Sequence, residues 1–501
     1  MAKQTRKSGA PTKPKRVPAK APDEAKAPTQ PGVIVGIGAS AGGVEALGRF
    51  FDAMAPDSGA AFVVVLHLDP KRESQMAHVL STHTSMPVAQ VKDGMRVAPN
   101  RVYVIAPDTD LTVRGGSLRL SEPEQARGHR HPVDVLFRSL AADQGERAIA
   151  IVLSGTGSNG TDGLKEVKAA GGLILVQDPA TAKFDGMPAS AIAAGMADHI
   201  LASEAMPDVL LRYLRHGYIA ATAASDTGAA QAQPAIDQIL VLLRARGGHD
   251  FGNYKRSTLQ RRIHRRLGLR NMATLAEYLD DLRANPEEVK HLVMDLMINV
   301  TGFFRDPEAW KMLADQVIAP MIAARETGAS IRAWVPGCST GEEAYSLAML
   351  VSEQAEAAGK QFDVKIFATD ARDDNLGSAR DGLYPEAALA SLAPARLRRY
   401  FEKLGSSYQV KKELRAMVVF APQNLLRDPP FSRLDLVCCR NLLIYLEPEA
   451  QSRIVALLHF ALREGGHLLL GNSETINSTS GRPSSPRREN ITKSSENRFA
   501  S

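Results

Sequence analysis

The sequence predicts an α/β protein with two doubly wound, mainly parallel-sheet domains, the second preceded by a small all-helical subdomain, and with disordered tails. Three observations carry this. Short β-branched runs alternate with helix-period stretches in two separate blocks. A polar stretch at 220–234, without one large apolar residue, parts the blocks as a linker does. The 501 residues, 44% hydrophobic and 23% charged, are enough to bury more than one core.

Fibrous and mainly disordered classes are excluded by that composition and by the lack of a glycine period or short repeat. Cys338, Cys438 and Cys439 make no disulfide framework and no CxxC pair, and no secretory segment is seen. A reducing cytoplasmic location is therefore expected, with no metal. No run of apolar residues is long enough to span a bilayer, so membrane insertion is not expected. The formal net charge of +6 resembles a nucleic-acid signal until it is located. Residues 1–31 contribute +6 and residues 477–501 contribute +3, which leaves −3 for the middle. Both ends read as disordered tails, and no nucleic-acid partner is expected.

In the first block, strands are expected at 33–37, 61–66, 102–105, 148–153 and 173–176, and 110–120, split by Gly115-Gly116, reads as an added hairpin. Gly38-Ala39-Ser40-Ala41-Gly42 follows the first strand and matches G-x-S-x-G, a strand-to-helix turn that exposes a serine hydroxyl near backbone N–H groups. The same glycines, as Gly36-x-Gly38-x-x-Ala41, satisfy a dinucleotide fingerprint. The next strand runs into His67-Leu68-Asp69, where His67 suits an esterase base and Asp69 suits a ribose contact. On these residues alone both readings stand.

With Val97-Ala98-Pro99-Asn100 and Leu153-Ser154-Gly155-Thr156-Gly157-Ser158-Asn159-Gly160 added, the block resembles the catalytic domain of the CheB-type chemoreceptor glutamate methylesterases. The resemblance implies hydrolysis of methyl glutamate esters by a Ser, His, Asp triad, with Ser40 as nucleophile and His67 as general base. Asn159 stands where the family has the aspartate. An asparagine carbonyl still accepts from an imidazole but carries no charge to stabilise the imidazolium. Asp162, three residues on, is a substitute to be tested. Stand-alone members also carry a receiver domain, which residues 1–31 do not supply.

In the second block the first 70 residues read as helices, with Leu259, Ile263 and Leu267 as one apolar stripe. Strands are expected at 331–335, 364–368, 417–421, 434–438 and 467–470, with the last strand of the sheet expected to be missing and an exposed edge left behind. The first strand leads into Pro336-Gly337-Cys338-Ser339-Thr340-Gly341-Glu342-Glu343, and the second ends in Asp370. Acids at a glycine turn repel a pyrophosphate but suit a cationic amino acid or sulfonium, and an acid ending the second strand suits ribose hydroxyls. Glu342 alone also suits a helix macrodipole.

Together with Asn299-Val300-Thr301-Gly302-Phe303-Phe304-Arg305, Gln423-Asn424-Leu425 and Cys439-Arg440-Asn441-Leu442-Leu443-Ile444-Tyr445, this block resembles the CheR-type chemoreceptor glutamate methyltransferases. The resemblance implies S-adenosyl-L-methionine as cofactor, lined by Asn299, Thr301, Arg305, Glu342, Asp370, Asn424, Leu425 and Asn441, with Tyr445 facing the methyl. As a bare residue Tyr445 also fits a packed aromatic. Arg305 or Arg440 is expected to keep the acceptor carboxylate ionised.

Lys255, Arg256, Arg261, Arg262, Arg265, Arg266 and Arg270 predict a basic helix face, and the resemblance implies that it docks on acidic receptor helices. The expected organisation is a tail (1–31), a CheB-type domain (32–215), a linker (216–234), a helical subdomain (235–305), a SAM-binding CheR-type domain (306–476) and a tail (477–501). The expected function is a bifunctional adaptation enzyme acting on methyl-accepting chemoreceptors. The alternatives are a methyltransferase whose esterase-like domain is a docking scaffold, and a nicotinamide-binding domain fused to a methyltransferase.

Overall fold

A computed structural model of the chain describes residues 33–66, 75–123, 130–215, 229–297, 300–389, 392–405, 407–471, 474 and 491–493. In the first block, β1 (Val33–Ala39), β2 (Ala60–Leu66), β3 (Val88–Gln90) and β4 (Arg101–Val104) precede a hairpin of β5 (Asp110–Arg114) and β6 (Ser117–Ser121). β7 (Ile149–Val152), β8 (Leu173–Gln177) and β9 (His199–Leu201) follow. Seven of these make one parallel sheet in the order β3-β4-β2-β1-β7-β8-β9, with the expected hairpin set apart. Its central strands are buried on both faces, which is why they read as continuous apolar runs instead of alternating ones.

Helices cover both faces: α1 (Gly43–Ala53), α2 (Met76–Ser81), α3 (Pro132–Gln144), α4 (Thr161–Ala170), α5 (Gly186–Ala193) and α6 (Met206–Arg215). Val35, Ile37, Phe50 and Phe51 build one core, and Ile34, Val63, Phe137 and Leu140 build the other. Both fingerprint glycines, Gly36 and Gly38, lie inside β1, under α3. A Cβ on Gly38 would stand 2.2 Å from Val133, and one on Gly36 3.0 Å from Leu140. Close helix–sheet packing therefore demands these glycines without any pyrophosphate, which removes the support for the dinucleotide reading.

The helical subdomain comprises α7 (Ala229–Gly247), α8 (Arg256–Leu269), α9 (Leu275–Ala284) and α10 (Pro286–Leu296) around Phe251, Leu259, Ile263, Tyr278 and Leu292. A Thr274–Glu277 capping box starts α9, and the Asn285 side chain caps α10. The linker expected to run to 234 is shorter, because α7 already begins at Ala229 and carries Pro234 inside it.

The second sheet is six-stranded and parallel, in the order β15-β11-β10-β16-β17-β18. Its strands are β10 (Ser330–Pro336), β11 (Asp363–Asp370), β15 (Val418–Pro422), β16 (Leu434–Cys439), β17 (Leu462–Leu470) and β18 (Ile491–Lys493). Between β11 and β15 a small antiparallel sheet intervenes, formed by β12 (Leu383–Pro385), β13 (Phe401–Leu404) and β14 (Ser407–Val410), which the sequence did not predict. Helices α11 (Glu342–Ala357), α12 (Asp373–Asp381) and α13 (Pro448–Ala461) flank the large sheet. β18 corrects two expectations. It lies within the tail assigned to disorder, and it pairs with Leu468–Leu470 on the edge expected to be bare. An open edge of unpaired N–H and C=O groups recruits a β-branched tripeptide readily.

The basic face of α8 is the third correction. Arg262 and Arg265 are buried, and they hold the first domain to the helical subdomain. Arg262 donates to the carbonyls of Lys168 (3.0 Å) and Ala169 (2.6 Å), at the C-terminus of α4. Arg265 donates to Gly172 O and pairs with Asp198 and, at 2.7 Å, with Asp295. Carbonyls left over at a helix end carry partial negative charge, so guanidinium groups are suited to them. Arg266 and Arg270 pair with Glu288 and Asp281 of the neighbouring helices. These charges had partners that are distant in sequence, which no local pattern displays.

Candidate active sites

Each large sheet reverses its strand order once, and the chemistry-bearing turns gather there. In the first sheet the chain leaves β1 toward β2 and later returns to β7 on the other side, which opens a crevice beyond the strand ends. Ser40 follows β1 directly. Its N–H donates to Ser154 O (2.9 Å) and its carbonyl accepts from Gly43 N (2.9 Å), which fixes the turn. Ser154 Oγ braces the far side by donating to Ala41 O at 2.9 Å, and a Cβ on Gly42 would collide with it at 2.7 Å. Gly42 also sits at φ 72° as the residue before α1, a conformation that favours glycine.

Asn159 lies in the loop after β7 and is buried. Its Oδ1 accepts from the backbone N–H of Asp134 at 3.3 Å, and Asp134 Oδ1 accepts from Gly163 N at 2.7 Å. The α3 and α4 N-termini are thereby interlocked, each satisfied by a side chain from the other segment. Asp162 accepts from Lys165 Nζ at 2.7 Å. His67 and Asp69 lie outside the described residues. The sequence passed over Asp134 and His131, whose Nδ1 is 3.6 Å from Asp134 Oδ2. Burial pushes the Asp134 carboxyl up. A His-Pro pair opening a helix, followed two residues later by Asp, was the available signal.

In the second sheet the reversal lies between β10 and β16. The turn after β10 positions Ser339 at φ 49° and Gly341 at φ 95°. A Cβ on Gly341 would meet Ala379 at 2.9 Å, so glycine is required there. Asp370, ending β11, accepts from Ser339 N (2.8 Å) and Arg372 N (3.0 Å). Glu342 opens α11 and accepts from Thr340 Oγ1 at 2.7 Å. Burial pushes both carboxyls above the usual range. The neighbouring Ser339 Oγ is buried with no hydrogen-bond partner. An orphaned hydroxyl in the same turn as a buried and a half-buried carboxylate fits a polar, cationic ligand such as S-adenosylmethionine.

Arg305 stands on a constrained turn, with Phe304 at φ 50° and Asp306 at φ 59°. Phe304 N donates to Ser346 Oγ (3.0 Å), and Arg440 Nη2 donates to Arg305 O (3.0 Å) and to Asp306 (2.6 Å). Arg440 also lies 3.5 Å from Glu343, whose carboxyl burial pushes up to about 7. Of the two arginines considered for the acceptor carboxylate, Arg440 is thus buried and committed to this brace. Arg305 keeps an open face.

Tyr445 ends a short 3-10 turn after β16, half-buried, and burial raises its phenol. Asn441, at φ 57°, shares that turn. Asn424 caps its own loop, with Oδ1 accepting from Leu426 N at 3.0 Å, and Leu425 packs on the core of the sheet. Thr301 is half-buried beside Gly302, and Asn299 lies outside the described residues.

The CheB methylesterase family matches residues 35–210, the CheR all-alpha domain matches 234–297, and the CheR SAM-binding domain matches 299–488. A 104.1 kDa protein of Rhodobacter capsulatus is 43% identical over 80% of this chain, which spans 44% of that protein. The chemotaxis protein methyltransferase of Borreliella burgdorferi is 30% identical over 46% of this chain and 83% of its own length. The catalytic domain of Thermotoga maritima CheB methylesterase is 30% identical, covering 36% of this chain and 97% of that structure at a TM-score of 0.34. The chain therefore belongs to the CheR methyltransferase family and carries a CheB methylesterase domain ahead of it in the same polypeptide.

Proposed function

We propose that the chain adds methyl groups to receptor glutamate side chains, using S-adenosylmethionine, and that its esterase domain faces the same class of substrate. The buried Glu342 and half-buried Asp370, beside the orphaned Ser339 hydroxyl, carry this reading. In this reading Asp370 accepts ribose hydroxyls and Glu342 offsets the donor's positive charge. When bound, the cofactor supplies a methyl group on a sulfonium that leaves readily.

The chain's part is positioning. Arg305 holds an acceptor carboxylate ionised and oriented, the Phe303–Asp306 turn keeps Arg305 in place, and Tyr445 packs beside the acceptor. Methyl-accepting chemoreceptors are the proposed partners, with a cytoplasmic location. Among the described residues no helix is long and apolar enough to cross a membrane.

The esterase half supports a second reading, a docking scaffold without hydrolysis, because Asn159 replaces a charge by an amide. Receptor fragments with labelled S-adenosylmethionine test both. Methyl incorporation that is lost in Asp370→Ala supports the transferase, and its persistence there overturns the site. Methanol release lost in Ser40→Ala supports hydrolysis, and its absence from the native chain favours the scaffold.

A further inference from the structure

The esterase-type domain reaches into the methyltransferase through α4. Glu166, on the second turn of that helix, places Oε1 3.5 Å from Nη2 of Arg305, whose other arm donates to Val300 O at 2.7 Å. Neighbouring Lys165 extends over the same segment: its Nζ lies 4.0 Å from where a Cβ on Gly302 would stand, and its charge acts on Glu342. The charges acting on Tyr445 include those of Arg305 and Glu166. One face of α4 therefore lies against Gly302 and Arg305, the acceptor side in the reading proposed above. It brings a glutamate carboxylate, the group such a transferase esterifies, to the guanidinium assigned to orient it.

Two features separate this contact from an ordinary interface ion pair. Arg265 and Asp198, in the same interface, are 1% and 3% exposed, whereas Arg305 and Glu166 keep 27% and 39% and meet at the edge of hydrogen-bond range. Such a pair is exchangeable, and little stability rests on it. The other end of α4 is clamped by Arg262 and Arg265, so Glu166 is held in place and not delivered by diffusion.

We propose that Glu166 is a methyl acceptor, an internal substrate esterified within its own chain. This rests on the methyltransferase reading above. A Glu166 carboxylate oxygen bonds to the methyl carbon of S-adenosylmethionine while the carbon–sulfur bond breaks. The bonding pair stays on sulfur, and S-adenosylhomocysteine leaves. No proton moves: the carboxylate and sulfonium charges cancel, and a neutral methyl ester remains. Arg305 then loses its anionic partner, which frees it for an external glutamate.

The test incubates the full chain with S-adenosylmethionine alone and maps methyl esters by peptide mass spectrometry after acidic digestion. The expected result is an ester on Glu166, released as methanol by base, present in up to every chain and absent from Glu166→Gln. Its rate per chain should not change on dilution. Calorimetry with S-adenosylhomocysteine on the same sample separates the two possible failures. Product binding without an ester on Glu166, esters only elsewhere, or a rate per chain that falls on dilution overturns this inference and leaves the transferase reading standing. No product binding overturns both.

Discussion

The two sheet domains solve the same topological problem and differ in what they put at the solution. Each places its turns at the reversal of a parallel sheet, between β1 and β7 in one and between β10 and β16 in the other. In the methyltransferase half two carboxylates gather there, Glu342 buried and Asp370 half-buried, against their solvation preference. In the esterase half the corresponding crevice has an amide, Asn159, and its oxygen accepts from the N-terminus of α3. The fold offsets part of the two acids' burial cost through the Thr340 hydroxyl and the backbone N–H groups of Ser339 and Arg372, and in the proposed reading a cationic donor supplies the rest. The missing acid costs the fold nothing, because an amide caps the α3 N–H as a carboxylate would.

That contrast is broken most sharply by restoring the charge. Asn159→Asp is expected to raise methanol release by up to about 10⁴-fold, the scale known for the opposite change in a protease triad. No increase in an ester-hydrolysis assay would mean that the half fails for another reason. The interface between the halves comes next. Arg265→Met takes the guanidinium from buried Asp198, which keeps Lys168 and the Ile174 N–H, and from Asp295, and should cost about 3–5 kcal/mol in a denaturation experiment. Arg265 and Lys168 hold the Asp198 carboxyl far below the usual range, though burial opposes them. The native chain's share of stability from this group is therefore present above 3.8, its ordinary value, and lost at lower pH.

Asp370→Ala removes the proposed ribose contact and orphans Ser339 N and Arg372 N. At about 1.5–3 kcal/mol for one charged hydrogen bond, affinity for S-adenosylhomocysteine should fall roughly 10- to 100-fold by calorimetry. The smallest effect is a pH dependence. Because burial raises Glu342 and Asp370, a cationic donor favours their ionised forms. Affinity for S-adenosylmethionine should therefore rise as pH climbs above 4.5, the ordinary value of Glu342, with a shallower slope in Glu342→Gln.

The local sequence determined the two sheets, the helical subdomain, the hairpin and the glycine turns, because each depends on periodicity and turn chemistry within a few residues. It also displayed the Asn159 substitution. What it misread was settled by groups far away along the chain. The arginines of α8 looked like a free basic face, yet Asp198 and the carbonyls of Lys168, Ala169 and Gly172 lie about 65–95 residues earlier. The edge of β17 looked bare, yet Ile491–Lys493 cover it. Arg305 and Arg440 looked interchangeable until Asp306 and Glu343 enclosed one of them. Residue type and spacing fix which groups a chain carries and which turns it makes. Only tertiary packing decides which charges meet, because burial and distance set the strength of an ion pair and neither is written in neighbouring letters.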